Sequence, residues 1–94
     1  MTTVNNTLVQ RESRYGNMAD NALLTQILMR EIQVAAAKSG NVLTPMHTEC
    51  LHMIMGKVSR MTVGDQFYAD NPHDIAGYAT LLEAYINDFN TEEE

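Results

Sequence analysis

The chain has a single cysteine, Cys50. One cysteine excludes an internal disulfide and a multi-cysteine zinc site. Bases are scarce too: six Lys and Arg stand against twelve Asp and Glu, a formal net charge of −6. General nucleic-acid binding needs a broad basic face, so that class is set aside. No apolar run approaches the roughly 20 residues that a membrane span requires. Met1 to Asn6 is polar and lacks the apolar core of a secretory signal, so the expectation is an intracellular protein. There is no serine–histidine–acid arrangement, phosphate-binding glycine loop or nucleophile elbow.

What is present is helical. At 94 residues the chain reads as one domain, residues 1–90, followed by an acidic disordered tail, residues 91–94. Asp88 and Glu92 to Glu94 hold four of the twelve acids, leaving six bases against eight acids, a net of −2, in the rest. A near-neutral body can still carry a local anion pocket. A chain this short buries only a little over ~60% of its unfolded surface, so homo-oligomerisation is expected to complete its core.

The fold expectation is all-α: three long helices plus a short N-terminal segment. That leading segment, about Asn6 to Arg14, has few apolar residues and ends at Tyr15-Gly16. The next helix, about Asn17 to Lys38, carries Leu24, Ile27, Leu28 and Ile32 at helical spacing, and Gly40 caps its end. Thr44-Pro45 starts the third helix, with Met46, Cys50, Met53, Ile54, Val58 and Met61 as its stripe and Gly64 as its close. Asn71-Pro72 starts the fourth, with Asp74 completing a capping box. Ile75, Ala79, Leu82, Ile86 and Phe89 form its stripe, and the last two helices make an antiparallel hairpin.

Four groups are candidates for chemistry. Arg11 and Arg14 stand three apart, and paired guanidinium groups grip phosphate; Tyr15 beside them can stack on a base. The plain alternative is a solvated turn closed by a tyrosine plug. Lys57 and Arg60 repeat the spacing near a helix C-terminus, where cations also complement the helix dipole. Asp70, His73 and Asp74 crowd a helix start, which attracts anions, although the acids can equally serve the helix end itself. Tyr78 shares a face with Asp74. Gly77 inside that helix costs about 1 kcal/mol against alanine, which suggests a close approach to its backbone. Glu49 and His52 with Asp74 make a possible metal set, against the commoner reading of a lone surface histidine. His47 shows no partner. The seven methionines read first as adaptable packing.

Arg11-Glu12-x-x-Tyr15-Gly16, Met53-Ile54-Met55-Gly56-Lys57-x-x-Arg60, Gly64-Asp65 and Asp70-Asn71-x-x-Asp74-Ile75-Ala76-Gly77-Tyr78-Ala79 together resemble a group of small phage proteins of uncharacterised function. The resemblance spans about Arg11 to Leu82, with Pro72-His73 standing where an aromatic residue is expected. That group is similar in outline to the all-helical MazG-like nucleotide pyrophosphohydrolases. Those hold magnesium with Glu-x-x-Glu and Glu-x-x-Asp, where this chain has Glu49-x-x-His52 and Asn71-x-x-Asp74. Magnesium wants hard oxygen ligands, so the substitutions weaken such a site.

The resemblance implies a nucleotide-binding scaffold in the cytoplasm of an infected bacterium. One expectation is a sponge that sequesters a nucleotide immune signal, of cyclic ADP-ribose type or a cyclic dinucleotide, without a cofactor. Arg11, Arg14, Lys57 and Arg60 would contact phosphates, and Tyr15 and Tyr78 would line the pocket. Asp70, His73 and Asp74 would complete it, with Asp74 taking ribose hydroxyls or orienting an arginine. The alternatives are a magnesium-dependent nucleoside triphosphate pyrophosphohydrolase using Glu49, Asp70 and Asp74, or an inhibitor that binds a host protein through its methionine-rich face.

Overall fold

The computed structural model describes the backbone of residues 2–93 and the side chains of residues 7–92. Four helices follow in order: α1 (Thr2–Tyr15), α2 (Met18–Lys38), α3 (Pro45–Val63) and α4 (Asp70–Glu93). There is no strand among the described residues, and no helix is long and apolar enough to cross a membrane.

Local chemistry sets most boundaries. The Asn17 side chain accepts from the amides of Ala19 and Asp20 and caps α2. Thr44 does the same for α3 by accepting from His47 N, with Pro45 in the first turn. His47, which shows no partner in sequence, has its Nδ1 2.7 Å from Thr44 Oγ1 and its ring edge-on to Tyr85.

Three boundaries differ from expectation. The leading segment is a full helix of 14 residues. α4 begins at Asp70, so Asn71 lies inside the first turn rather than capping it; its side chain is fully buried. α4 also continues to Glu93, through most of the run read as a tail.

α3 is the hub of an open bundle. Ser59 on α3 hydrogen-bonds Asn21 on α2, whereas Lys57 on α3 pairs with Asp74 on α4. Two residues are about 200° around a helix, so α2 and α4 flank α3 from nearly opposite sides. They do not pack on each other among the described residues. Little is therefore enclosed. The buried hydrophobic residues are Met29 and Cys50 alone among those described.

On α2 the buried positions are Asn21, Thr25 and Met29, four apart, while Ile27 of the expected stripe is 49% exposed. The molecule measures 58 × 26 × 24 Å with a radius of gyration of 16.2 Å. A compact chain of this length would have a radius of about 12 Å. Its accessible surface is 6871 Å², against about 5,400 Å² for a compact monomer of this mass.

Candidate functional site

Two glycines build the site. Gly16 ends α1 with φ +83°, a conformation that side chains resist. A Cβ there would lie 2.6 Å from Val63 Cγ1 and 2.8 Å from Val63 C. A Cβ on Gly64 would lie 2.5 Å from both Arg14 O and Tyr15 C. The α1–α2 bend and the end of α3 thus cross backbone against backbone, as only glycine allows. Asp65 N donates to Arg14 O at 3.0 Å across the crossing.

Asn21 locks the same corner from α2. Its Nδ2 donates to Tyr15 O and Asn17 O, and its Oδ1 accepts from the buried Ser59 Oγ at 2.6 Å. One carboxamide therefore ties α1, α2 and α3 together. Burying it is tolerable because each of its polar atoms is satisfied.

The crossing places Tyr15 among cations. The Arg60 guanidinium lies 4.7 Å from the ring centroid, and the Arg11 guanidinium lies 5.7 Å from it, both within cation–π range. Tyr15 also meets Tyr68 edge-on at 5.8 Å. Arg14 leaves this group: it stacks over Tyr68 at 5.0 Å and donates to the Tyr68 hydroxyl at 3.2 Å. The Asp70 carboxylate raises the pKa of that hydroxyl above its ordinary value, since it favours the protonated phenol.

Between α1, α2 and α3 lies a groove of about 630 Å³. Arg11, Tyr15, Lys57 and Arg60 line it, with Met18 and Met53 among its apolar surfaces. Gly56 lines it too, and a Cβ there would meet nothing within 4 Å. Lys57 is paired with Asp74 at 2.9 Å, and this ion pair holds the Asp74 carboxyl below its ordinary pKa. It is the one ion pair among the described residues, so Arg11 and Arg60 line the groove with no carboxylate in direct contact, although the Arg60 charge also helps to lower the Asp74 pKa. Glu12, which also lines the groove, accepts from Asn17 Nδ2 at 3.2 Å. A chain of net charge −6 thus presents three cations against one acid on the wall of a single groove.

The other expected residues do not join them. Arg14, Asp70, His73, Asp74 and Tyr78 lie off the groove wall. Asp74 orients a lysine rather than an arginine. Glu49 sits eight residues from Lys57, about 12 Å along α3, and borders a separate cavity of about 210 Å³ with His52. No group of three or more His, Cys, Asp or Glu among the described residues is placed to hold a metal ion. Glu49, Asp70 and Asp74 are therefore not an assembled magnesium set. A Cβ on Gly77 would meet nothing within 4 Å, so no described part of this chain makes the close approach expected there.

Sequence reasoning passes over Gly56, Asn21 and Ser59. Gly56 carries a signal, because a glycine inside a helix costs stability and needs a reason. Asn21 and Ser59 carry almost none, since their burial follows from partners 38 residues apart. No protein-family model matches the chain, and no curated protein or solved structure matches it either.

Proposed function

We propose that the α1–α2–α3 groove binds a phosphorylated nucleotide and holds it without cleaving it. The observation that carries this reading is the pair Arg11 and Arg60, gathered at Tyr15 with no carboxylate in ion-pair contact with either. Guanidinium groups without acidic partners are free to take phosphate in a two-pronged way. Lys57 adds a third cation, already oriented by Asp74. Tyr15 offers an aromatic face to a base, and Met18 and Met53 give the apolar contact that ligand sites use. A volume of about 630 Å³ suits a nucleotide or a cyclic dinucleotide.

Holding is favoured over hydrolysis because the carboxylates of Glu49, Asp70 and Asp74 are dispersed. The resemblance to small phage proteins gives the reading its setting: sequestration of a nucleotide immune signal inside an infected bacterium. Arg11, Tyr15, Lys57 and Arg60 form the site, and Arg14 supports it through Tyr68.

Calorimetry with Arg60→Ala tests the site. Affinity for a bound nucleotide should fall at least about 10-fold, roughly the loss of one charge-assisted hydrogen bond. The unfolding midpoint should barely move. Unchanged affinity in Arg60→Ala would remove the groove from consideration.

A further inference from the structure

We infer that a second copy of this chain docks the C-terminal arm of its α4 into the α1–α2–α3 groove, forming a reciprocal antiparallel dimer. The arm is defined by register. Lys57 meets Asp74, and His47 meets Tyr85, so the first residue of α3 stands level with about residue 87 of α4. α4 runs on to Glu93, about 9 Å further at 1.5 Å per residue.

That end of α4 is built to be covered. Leu81 and Phe89 share one face, at 56% and 50% exposure, and Tyr85 between them is set edge-on to His47. Rows of this spacing form the ridges that pack into the side-chain grooves of a facing helix. Asp88 and Glu92 flank the ridge, and α4 contains no Lys or Arg from Asp70 to Glu93. Acids at a helix C-terminus oppose the helix dipole, so this end of α4 lacks the cation that would settle it. The groove offers the complement: Arg11, Lys57 and Arg60 beside Met18 and Met53.

Area and symmetry point to a second copy as the occupant. The chain exposes 6871 Å², about 1,400 Å² more than a compact monomer of its mass. A standard interface removes about 800 Å² from each partner, well inside that excess. The groove lies at the α1–α2 bend beside the C-terminal half of α3, and the arm runs past the N-terminus of α3. A twofold axis across the long direction brings each arm to the other copy's groove, and such closed dimers are the commonest assembly. Carboxylates of the arm and phosphates of a nucleotide then compete for the same cations.

Sedimentation in nucleotide-free buffer tests the pairing, with circular dichroism as the check on folding. The native chain should run as a dimer. Phe89→Glu and the double variant Asp88→Lys/Glu92→Lys should each raise the dimer dissociation constant at least about 10-fold while staying helical. Arg60→Glu should weaken the native dimer, and combining it with the double variant should restore association. A native chain that sediments as a monomer overturns the proposal, as does a dimer that survives both arm variants. No nucleotide enters this experiment, so its result is independent of whether the groove binds one.

Discussion

Two polar clusters border the C-terminal half of α3, and they resolve in opposite ways. Arg11, Tyr15, Lys57 and Arg60 come from two helices and meet on the wall of one groove. Asp70, His73, Asp74 and Tyr78 come from one helix and disperse: Asp70 serves Tyr68, Asp74 serves Lys57, and His73 is exposed. Residues on a single helix are held at fixed angles to one another, so a dense stretch of sequence need not make a site. Residues on different helices converge when the backbone crossing brings them together. Here the crossing of Gly16 and Gly64 does so.

The comparison is broken most forcefully at that crossing. Gly64→Ala sets a Cβ 2.5 Å from backbone atoms of Arg14 and Tyr15, which cannot rotate away. The expected loss is about 3 kcal/mol, read from chemical denaturation, and the groove should open with it. An unchanged midpoint would mean that the two segments part without cost.

Gly56→Phe sharpens the contrast without touching the crossing. The new side chain enters open space and fills the groove, so nucleotide affinity should fall about 100-fold, or 2.7 kcal/mol. Stability should hold or rise by about 0.5 kcal/mol, because a glycine leaves the helix interior. His73→Ala, off the groove wall, should bind as the native chain does.

The two buried asparagines should respond with opposite signs. Asn21 has its polar atoms bonded, so Asn21→Leu strands Tyr15 O and leaves Ser59 Oγ only the longer bond to the residue-21 carbonyl, at a cost of about 2 kcal/mol. Asn71 is fully buried, and neither polar atom of its side chain has a partner. Asn71→Leu should therefore leave stability unchanged or raise it by about 1 kcal/mol. A matched loss in both variants would show that Asn71 is satisfied after all.

The smallest effect concerns pH. Lys57 lowers the pKa of Asp74 in the folded chain, below the ordinary 3.8. A lowered folded pKa means the pair stabilises above the unfolded value and loses its contribution as pH falls through the folded one. Thermal midpoints followed below about pH 4 should fall further in the native chain than in Lys57→Met. Parallel curves would show that the pair is too exposed to matter.

Much of the fold is legible because helix ends are local. Thr44-Pro45, Gly40 and Gly64 signal their boundaries through short-range chemistry, and the structure uses each of them. The full extent of α1 is not legible, since Leu8 and Val9 are exposed and no apolar stripe marks the helix. The inner face of α2 is legible in part. Leu24, Leu28 and Ile32 of the expected stripe are half-buried and Ile27 is exposed, while Asn21 and Thr25 take the most buried positions with Met29, and Asn21 is satisfied by α1 and α3. The phase of α4 is equally hidden. Asn71-Pro72 reads as a cap, but starting at Asp70 turns Asn71 inward. The cationic candidates are visible as pairs at i and i+3, whereas their meeting at Tyr15 depends on a contact between residues 16 and 64 that spacing does not encode.

The central claim is that the groove at Tyr15 takes a phosphorylated nucleotide and keeps it intact. Calorimetry of the native chain with mononucleotides, cyclic dinucleotides and cyclic ADP-ribose isomers, with and without magnesium, tests it most directly, with the ligand recovered and chromatographed afterwards. The account predicts tight binding to at least one of them, indifferent to chelator, lost in Gly56→Phe, with the ligand returned unchanged. No binding to any of them, or recovery of a monophosphate and pyrophosphate only when magnesium is present, would contradict it.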